Sequence, residues 1–152
     1  MKRTIALDFD GVLHSYKSGW QGPTNIPDPP VPGAIEFLLQ LIDEDWDIAI
    51  FSTRSTKWGG RKAMKKWLRY HAGISWLVQF DNSTEVLWQS CPVGMDPIEV
   101  EADNAGHWLA RQVRWPLAKP PAFVSLDDRA IRFTGEWPGM EELNRFKPWY
   151  LR

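Results

Sequence analysis

Residues 4–16, TIALDFDGVLHSY, carry the clearest fold signal in the sequence. Its apolar start predicts a short buried strand, which ends directly in Asp8 and Asp10, two carboxylates separated by a single phenylalanine. Two acids this close repel each other in a partly buried setting unless a positive group lies between them. Gly11 follows and lets the chain turn sharply. The stretch therefore predicts a buried strand whose end holds a cation.

Two later segments repeat the pattern of an apolar strand that ends in polar side chains. DIAIFS, residues 47–52, ends in a serine, and AFVSLDD, residues 122–128, ends in an acid pair. Apolar residues at helical spacing predict helices between these strands, over residues 33–45 and 61–73. Alternating strands and helices predict an α/β fold, a three-layer sandwich around a Rossmann-like, mostly parallel sheet.

Weaker patterns predict the remaining elements and the domain organisation. Four further elements are predicted, namely strands over residues 74–80 and 84–91 and helices over residues 103–115 and 138–146. Gly73 is interpreted as the stop of the helix before them. We expect a single domain over residues 1–152, with a Pro/Gly-rich flap over 14–32, room for a small insertion over 82–117, and no large cap domain.

The composition is that of an ordinary globular domain without a strong overall charge. With 152 residues and a formal net charge of -1, the chain has no global field that attracts nucleic acid or an anionic membrane. Cys91 is the single cysteine, which excludes an internal disulfide and suits a reducing compartment. No apolar run approaches the roughly 18 residues of a membrane span. We therefore expect a cytoplasmic protein without membrane association, and no obligatory protein partner is indicated.

The acids at the ends of the first and last predicted strands indicate a magnesium site. Ligands of an open parallel sheet bind beyond the carboxyl ends of its strands, where the acidic side chains and a hydroxyl are expected to converge. These side chains are Asp8, Asp10, Asp127, Asp128 and Ser52. Carboxylate oxygens are hard ligands, and no histidine or cysteine pattern accompanies them, which favours Mg²⁺ over zinc. Magnesium typically shares its coordination shell with a substrate phosphate.

Other cation-binding and phosphate-binding motifs do not fit the sequence. An EF-hand loop counted from Asp8 would place Leu13 at the glycine position and Gly19 where the bidentate glutamate belongs. The chain contains neither a GxGxxG run after a strand nor a GxxxxGK[ST] run. A calcium loop of this type, a dinucleotide site and a P-loop kinase are therefore excluded.

Four motifs in order resemble those of the haloacid dehalogenase (HAD) superfamily. They are LDFDGVL, the hydroxyl that closes the second strand in IAIFSTRS, the lysine in AKPPAFVSLDD, and the acid pair that ends the same segment. The resemblance spans residues 4–137 with a poorly matched stretch from about 82 to 117. It implies a HAD-like fold with a minimal cap. Because the first motif has the DxD form, it also implies a phosphatase, a phosphoric monoester hydrolase.

The resemblance implies a role for each catalytic residue. Asp8 would attack phosphorus to give an aspartyl-phosphate, and Asp10 would protonate the leaving alcohol and then deprotonate the hydrolytic water. Ser52 would donate a hydrogen bond to a phosphoryl oxygen. Lys119 would neutralise the charge on Asp8 and the phosphoryl group. The lysines of the second helix are the alternative to Lys119, namely Lys62, Lys65 and Lys66.

The metal ligands and the substrate contacts are implied in the same way. Asp8 and Asp127, with the backbone carbonyl of Asp10, would hold Mg²⁺, and Asp128 would support it directly or through water. Substrate contacts are expected from three residues that directly follow the motif residues in the sequence, namely Thr53, Arg54 and Arg129. For the two arginines, ordering of the loops around the site is an equal alternative.

The substrate and one rival function stay open. An uncapped site suits a phosphorylated nucleic-acid end or nucleotide, or a small phosphomonoester screened by the flap, whose Tyr16 and Trp20 could stack on a base. His14, just past the first motif, could reach a leaving group. The basic run RKAMKKWLRY is interpreted as a solvated helix face in preference to a surface that tracks a nucleic-acid backbone. The rival is a non-catalytic metal-binding or phosphate-binding interaction module on the same fold.

Overall fold

The computed structural model describes residues 2–79, 97–132 and 134–152 and contains a four-stranded, all-parallel sheet. In chain order the strands are β1 (Thr4–Leu7), β2 (Asp47–Ile50), β3 (Val113–Arg114) and β4 (Val124–Leu126). Their spatial order is β3-β2-β1-β4. The helices are α1 (Ala34–Asp43), α2 (Gly60–Gln79), α3 (Pro97–Gln112) and α4 (Met140–Arg145). Short 3-10 helices cover Thr53–Thr56 and Trp149–Leu151. The predicted α/β class with a Rossmann-like parallel sheet is confirmed at this level.

The register of the sheet brings three strand ends to one line. Leu7 at the end of β1 pairs with Ile50 of β2 and with Leu126 of β4. The ladder continues one step further, because Asp8 donates its N–H to the Leu126 carbonyl at 2.9 Å and Phe51 donates to the Leu7 carbonyl at 3.0 Å. The polar residues that follow these strands therefore start from the same edge of the sheet.

The hydrophobic core lies between the sheet and the helices that connect its strands. Both inner strands are buried along their apolar lengths, as expected for a parallel sheet. The helices contribute apolar residues from one stripe each, and these pack against the strands and the first loop. The most deeply buried members are Leu7, Phe9, Leu38, Ile48, Ile50, Met64, Leu68 and Leu109. This core packs beneath the carboxyl end of β1, where the loop with Asp8 and Asp10 begins.

Helix α2 continues through Gly73, which was expected to stop it, and ends at Gln79. The strand predicted over 74–80 is wrong for residues 74–79, which are helical. A β-carbon on Gly73 would lie 2.8 Å from the Ala102 carbonyl oxygen of α3, and one on Gly106 would lie 2.2 Å from the Arg69 carbonyl oxygen. These glycines therefore permit close contact between two helices, a second use of glycine that sequence pattern alone does not distinguish from a helix stop.

The stretch after α2 is described only in part. The strand predicted over 84–91 lies outside the described residues, together with Cys91 and residues 82–96 of the expected insertion. From Pro97 onward the chain forms α3, which starts six residues before the predicted residue 103, and a proline suits the first turn of a helix. Helix α3 packs along α2, and β3 then joins the sheet beside β2.

Membrane insertion was not expected from the sequence. Among the helices that the structure describes, none combines the length and the apolar character needed to cross a membrane.

Candidate active site

The loop after β1 presents the two acids of the first motif. Asp8 Oδ1 accepts the Phe9 N–H at 2.7 Å, and the fully buried Phe9 ring anchors the chain between the two carboxylates. The Phe9 carbonyl accepts the N–H groups of Leu13 and His14 at 3.0 and 2.9 Å, which closes a tight turn. Gly11 has φ of +84°, and a β-carbon there would lie 2.5 Å from Asp128 Oδ2. Only glycine fits this turn beside the last acid pair.

Three acids from two strands form one cluster. Carboxylate oxygens of Asp8, Asp127 and Asp128 lie within 4.8 Å of one another. Asp127 Oδ1 accepts the Arg129 N–H at 2.8 Å, which orients its carboxylate. The cluster consists only of oxygen donors, the ligand type that Mg²⁺ prefers. The structure thus brings together three of the four acids predicted as metal ligands.

The Asp128 carboxylate is buried without a hydrogen-bond partner. Its side chain is 1% exposed, and neither oxygen accepts a hydrogen bond from a described residue. Arg129 Nε lies 3.6 Å from Oδ2, and the Tyr150 hydroxyl is near enough to interact electrostatically without forming a hydrogen bond of normal geometry. A buried carboxylate that lacks donors is costly, so this group fits a cation ligand.

The environment of Asp8 also calls for a positive charge. Burial, together with the nearby charges of Asp127, Asp128 and Asp10, raises the pKa of Asp8 from its ordinary value of 3.8 to about 7. The hydrogen bond from the Phe9 N–H acts in the opposite direction. A bound cation would favour the ionised carboxylate and so lower this pKa.

The Asp10 carboxylate is held apart from the acid cluster. Arg54 Nε lies 2.8 Å from its Oδ2 and 3.1 Å from its Oδ1, and His14 Nδ1 lies 2.8 Å from Oδ1. Its side chain is not part of the three-acid group, and a role for its backbone carbonyl as a metal ligand stays a prediction. Asp10 nevertheless lines the same cavity as Asp8, so both acids face the space where a substrate would bind.

Arg54 ties the flap to Asp10. It is fully buried, and its terminal NH1 donates to the carbonyl oxygens of Gly22, Pro23 and Asn25 at 2.6, 3.1 and 3.2 Å. The Trp20 ring covers its guanidinium at 4.6 Å in a cation–π contact. Arg54 does not line the described cavities around Asp8. Its contacts are those of a residue that orders the loops around the site.

His14 is a buried partner of Asp10 whose position the sequence did not reveal. Its Nε2 accepts the Asp28 N–H at 3.2 Å, which assigns the proton to Nδ1 and makes His14 a donor to Asp10. Asp28 in turn accepts the N–H and the hydroxyl of Ser18 at 2.8 and 2.6 Å. The only sequence signals were a histidine four residues after Asp10 and an acid inside the proline-rich flap.

A cavity of about 150 Å³, the lysine-side cavity, joins the ends of all three long strands. Asp8, Ser52, Thr53, Lys119 and Asp127 line it. The Ser52 hydroxyl accepts the N–H of the second residue after it at 3.3 Å and remains able to donate. Lys119 thus shares a cavity with Asp8, whereas Lys62, Lys65 and Lys66 of α2 line a different groove.

A second cavity of about 320 Å³, the flap-side cavity, opens beside the first. It shares Asp8, Ser52 and Thr53 with the lysine-side cavity and adds Asp10. Its far wall consists of Tyr16, Trp20 and Arg129. Arg129 therefore borders the space next to both motif acids, as its predicted contact with substrate requires.

The end of the chain closes over the first motif, which the sequence did not indicate. Trp149 donates its indole N–H to the Gly11 carbonyl at 2.6 Å. The Tyr150 ring packs edge-on against Tyr16, and its hydroxyl accepts a hydrogen bond from Arg129 at 3.0 Å. This hydrogen bond is the main reason that the pKa of Arg129 is raised. The segment Trp149–Leu151 therefore braces the loop that carries Asp8 and Asp10.

Comparisons of the chain with protein-family models, with curated proteins and with solved structures find no match. The assignment of a function therefore depends on the geometry of this site and on the motif resemblance.

Proposed function

We propose that the protein is a HAD-type, Mg²⁺-dependent phosphatase that hydrolyses phosphomonoesters through an aspartyl-phosphate on Asp8. We also propose that the observed α/β fold is the three-layer, HAD-like version of this class. The observation that carries the proposal is the cluster of Asp8, Asp127 and Asp128, the last of which accepts no hydrogen bond from a described residue. Asp8 and Asp127 line a cavity together with Lys119 and Ser52. This arrangement supports a cation site, a carboxylate nucleophile and donors for a phosphoryl oxygen next to one another.

Asp8, Asp127 and Asp128 would hold the ion, because their oxygens converge and the buried Asp128 carboxylate accepts no hydrogen bond from a described residue. When bound, Mg²⁺ supplies Lewis-acid polarisation of a phosphoryl oxygen and offsets the repulsion between carboxylate and phosphate. The three carboxylates provide a charge and a ligand type that suit it.

The chain's own groups account for the remaining chemistry. The free Asp8 oxygen attacks phosphorus and displaces an alcohol, while the other oxygen stays held by the Phe9 N–H. Ser52 and Lys119 donate to the phosphoryl oxygens as negative charge builds up on them. Asp10 gives a proton to the leaving alkoxide and then accepts one from the water that hydrolyses the intermediate. Arg54 and His14 keep the Asp10 carboxylate in one orientation for both transfers.

The test is the hydrolysis of an aryl phosphate by the full chain, with Mg²⁺ and with a chelator. We expect turnover with Mg²⁺ that disappears with the chelator and falls by at least about a thousandfold in Asp8→Asn. Asp43→Asn, which changes an exposed acid at the end of α1, is the matched control and should retain full activity.

Two outcomes would overturn the proposal. Residual activity of Asp8→Asn equal to that of the wild type would exclude Asp8 as the nucleophile. Mg²⁺ binding without turnover of an aryl phosphate, nucleotides or phosphorylated oligonucleotides would instead support the non-catalytic binding module.

A further inference from the structure

The positive charge of this chain is concentrated in one segment. Residues 48–80 contain seven lysines and arginines and no aspartate or glutamate, although the whole chain has a formal net charge of -1. Solvated helix faces of soluble proteins normally interleave acids with bases at i to i+4 spacing, which supports the helix and limits the local potential. The segment therefore departs from the pattern of a merely solvated face.

The structure gathers this charge in a groove of about 490 Å³ between α2 and α3, here called the basic groove. Its basic lining residues are Lys62, Lys65, Lys66, Arg69, His107 and Arg111, and no acid lines it among the described residues. The four residues from α2 follow the spacing i, i+3, i+4 and i+7, which places them on one face of the helix.

Among the described residues, most of the charge in the basic groove has no acidic partner. Asp103 at its rim pairs with Arg69 at 3.3 Å and lies 3.5 Å from His107. The three lysines form no ion pair with any described residue, and the same holds for Arg111 across the groove. No described acid therefore competes with an external polyanion for these four cations.

A neighbouring groove of about 430 Å³ shares Lys62 with the basic groove. It extends to Ser55 and Thr56, in the 3-10 helix that directly follows Ser52 of the candidate active site. Trp58 lines this groove with 94% of its surface exposed, between Lys57 and Arg61 along the chain. An exposed indole flanked by cations is the arrangement on which nucleic-acid bases stack in sequence-tolerant binding sites.

We propose that these two grooves bind the backbone of a single-stranded nucleic acid whose terminal phosphate enters the cavity at Asp8. The α2 face from Lys62 to Arg69 is about 10 Å long, enough for about two or three backbone phosphates. Trp58 stacks on a base between the terminus and this stretch. The assignment of the terminus depends on the proposed phosphatase function, whereas binding of the backbone does not.

The test measures the binding of a fluorescein-labelled, unphosphorylated 12-nucleotide single strand by anisotropy at several salt concentrations. The triple variant Lys62→Gln/Lys65→Gln/Lys66→Gln should bind about tenfold more weakly or worse at low salt. Its slope of log affinity against log salt should be shallower by about 2, since each phosphate contact contributes about 0.7. Trp58→Ala should lose about fivefold or more in affinity with an unchanged slope.

Matched controls separate the groove from net charge and from folding. The triple variant Lys2→Gln/Arg132→Gln/Arg145→Gln removes the same charge from exposed positions outside the groove and should keep wild-type affinity and slope. Circular dichroism and urea midpoints show whether each variant is folded. For a phosphorylated oligonucleotide, KM should rise about tenfold or more in the groove variant, while kcat/KM for an aryl phosphate stays within about twofold.

The outcomes for the two proposals are distinguishable. Oligonucleotide binding that depends on the groove, without any phosphatase turnover, supports this inference and counts against the proposed function. Turnover together with oligonucleotide binding that is indifferent to the groove variant overturns the inference alone. Equal, groove-dependent binding of polyglutamate also overturns it, in favour of an acidic protein partner.

Discussion

Asp8→Asn should stabilise the protein at alkaline pH when no divalent cation is present. Burial and neighbouring acids raise the pKa of Asp8 from 3.8 to about 7, so the folded state disfavours the ionised carboxylate. A pKa difference of about three corresponds to at most about 4 kcal/mol of unfolding free energy. We expect Asp8→Asn to raise the free energy of unfolding by about 1–3 kcal/mol, because water still reaches part of the Asp8 side chain. Asparagine has a similar shape and carries no charge, so the penalty disappears.

The sign of the pH dependence follows from proton binding. Below pH 4 the Asp8 carboxyl is protonated in both states, and between about pH 4 and 7 it is ionised only in the unfolded state. The folded state therefore binds more protons, and the wild type loses stability as the pH rises through this window. Urea denaturation with a chelator measures the free energy of unfolding of Asp8→Asn and of the wild type. The difference between the two at pH 5 should be about one third of the difference at pH 8.

Adding Mg²⁺ should reverse this order. The ion stabilises the folded wild type by mass action, and Asp8→Asn should gain less because it has lost one ligand. Asp43→Asn serves as the control and should follow the wild type in both conditions. Wild-type stability at pH 8 that equals or exceeds that of Asp8→Asn in chelator would refute the reasoning, since the acid cluster would then need no counter-ion.

Three further predictions concern the groups around the site and the helix pair behind it. Arg54→Lys should lower kcat about tenfold or more with little change in KM, because Asp10 loses its orientation, and unchanged steady-state kinetics would contradict this role. Trp149→Phe should lower the free energy of unfolding by about 1 kcal/mol in urea denaturation, because it removes the hydrogen bond to the Gly11 carbonyl. Trp58→Phe, at an exposed position, is the control and should leave this free energy unchanged. Gly106→Ala should lower the free energy of unfolding by about 1–3 kcal/mol in urea denaturation, because the new β-carbon would lie 2.2 Å from the Arg69 carbonyl oxygen. Helix propensity alone predicts a gain in stability instead, and such a gain would show that α2 and α3 separate easily.

The sheet and the convergence of the site could be predicted because both depend on local patterns. Short apolar runs are typical of buried parallel strands, and the carboxyl ends of such strands meet at one edge. Asp8 and Asp127 were therefore expected at the same edge of the sheet once β1 and β4 were predicted to be parallel. The structure adds that the two strands are direct neighbours, which no local pattern states.

The surroundings of the site could not be predicted, because they depend on contacts between distant parts of the chain. Arg54 and Asp10 are 44 residues apart, and Trp149 and Gly11 are 138 apart. An arginine after a strand is equally compatible with substrate contact and with burial under a flap. Only the packed flap, whose carbonyl oxygens accept hydrogen bonds from the Arg54 guanidinium, favours burial over substrate contact.

Mass spectrometry of the protein, quenched in acid during turnover of an aryl phosphate with Mg²⁺, detects the covalent intermediate on which the proposed mechanism depends. We expect the peptide containing Asp8 to gain the mass of one phosphoryl group. The gain should be absent in Asp8→Asn, and hydroxylamine, which cleaves acyl phosphates, should remove it. A phosphoryl group on any other residue, or turnover without a covalent intermediate in the wild type, would exclude Asp8 as the nucleophile.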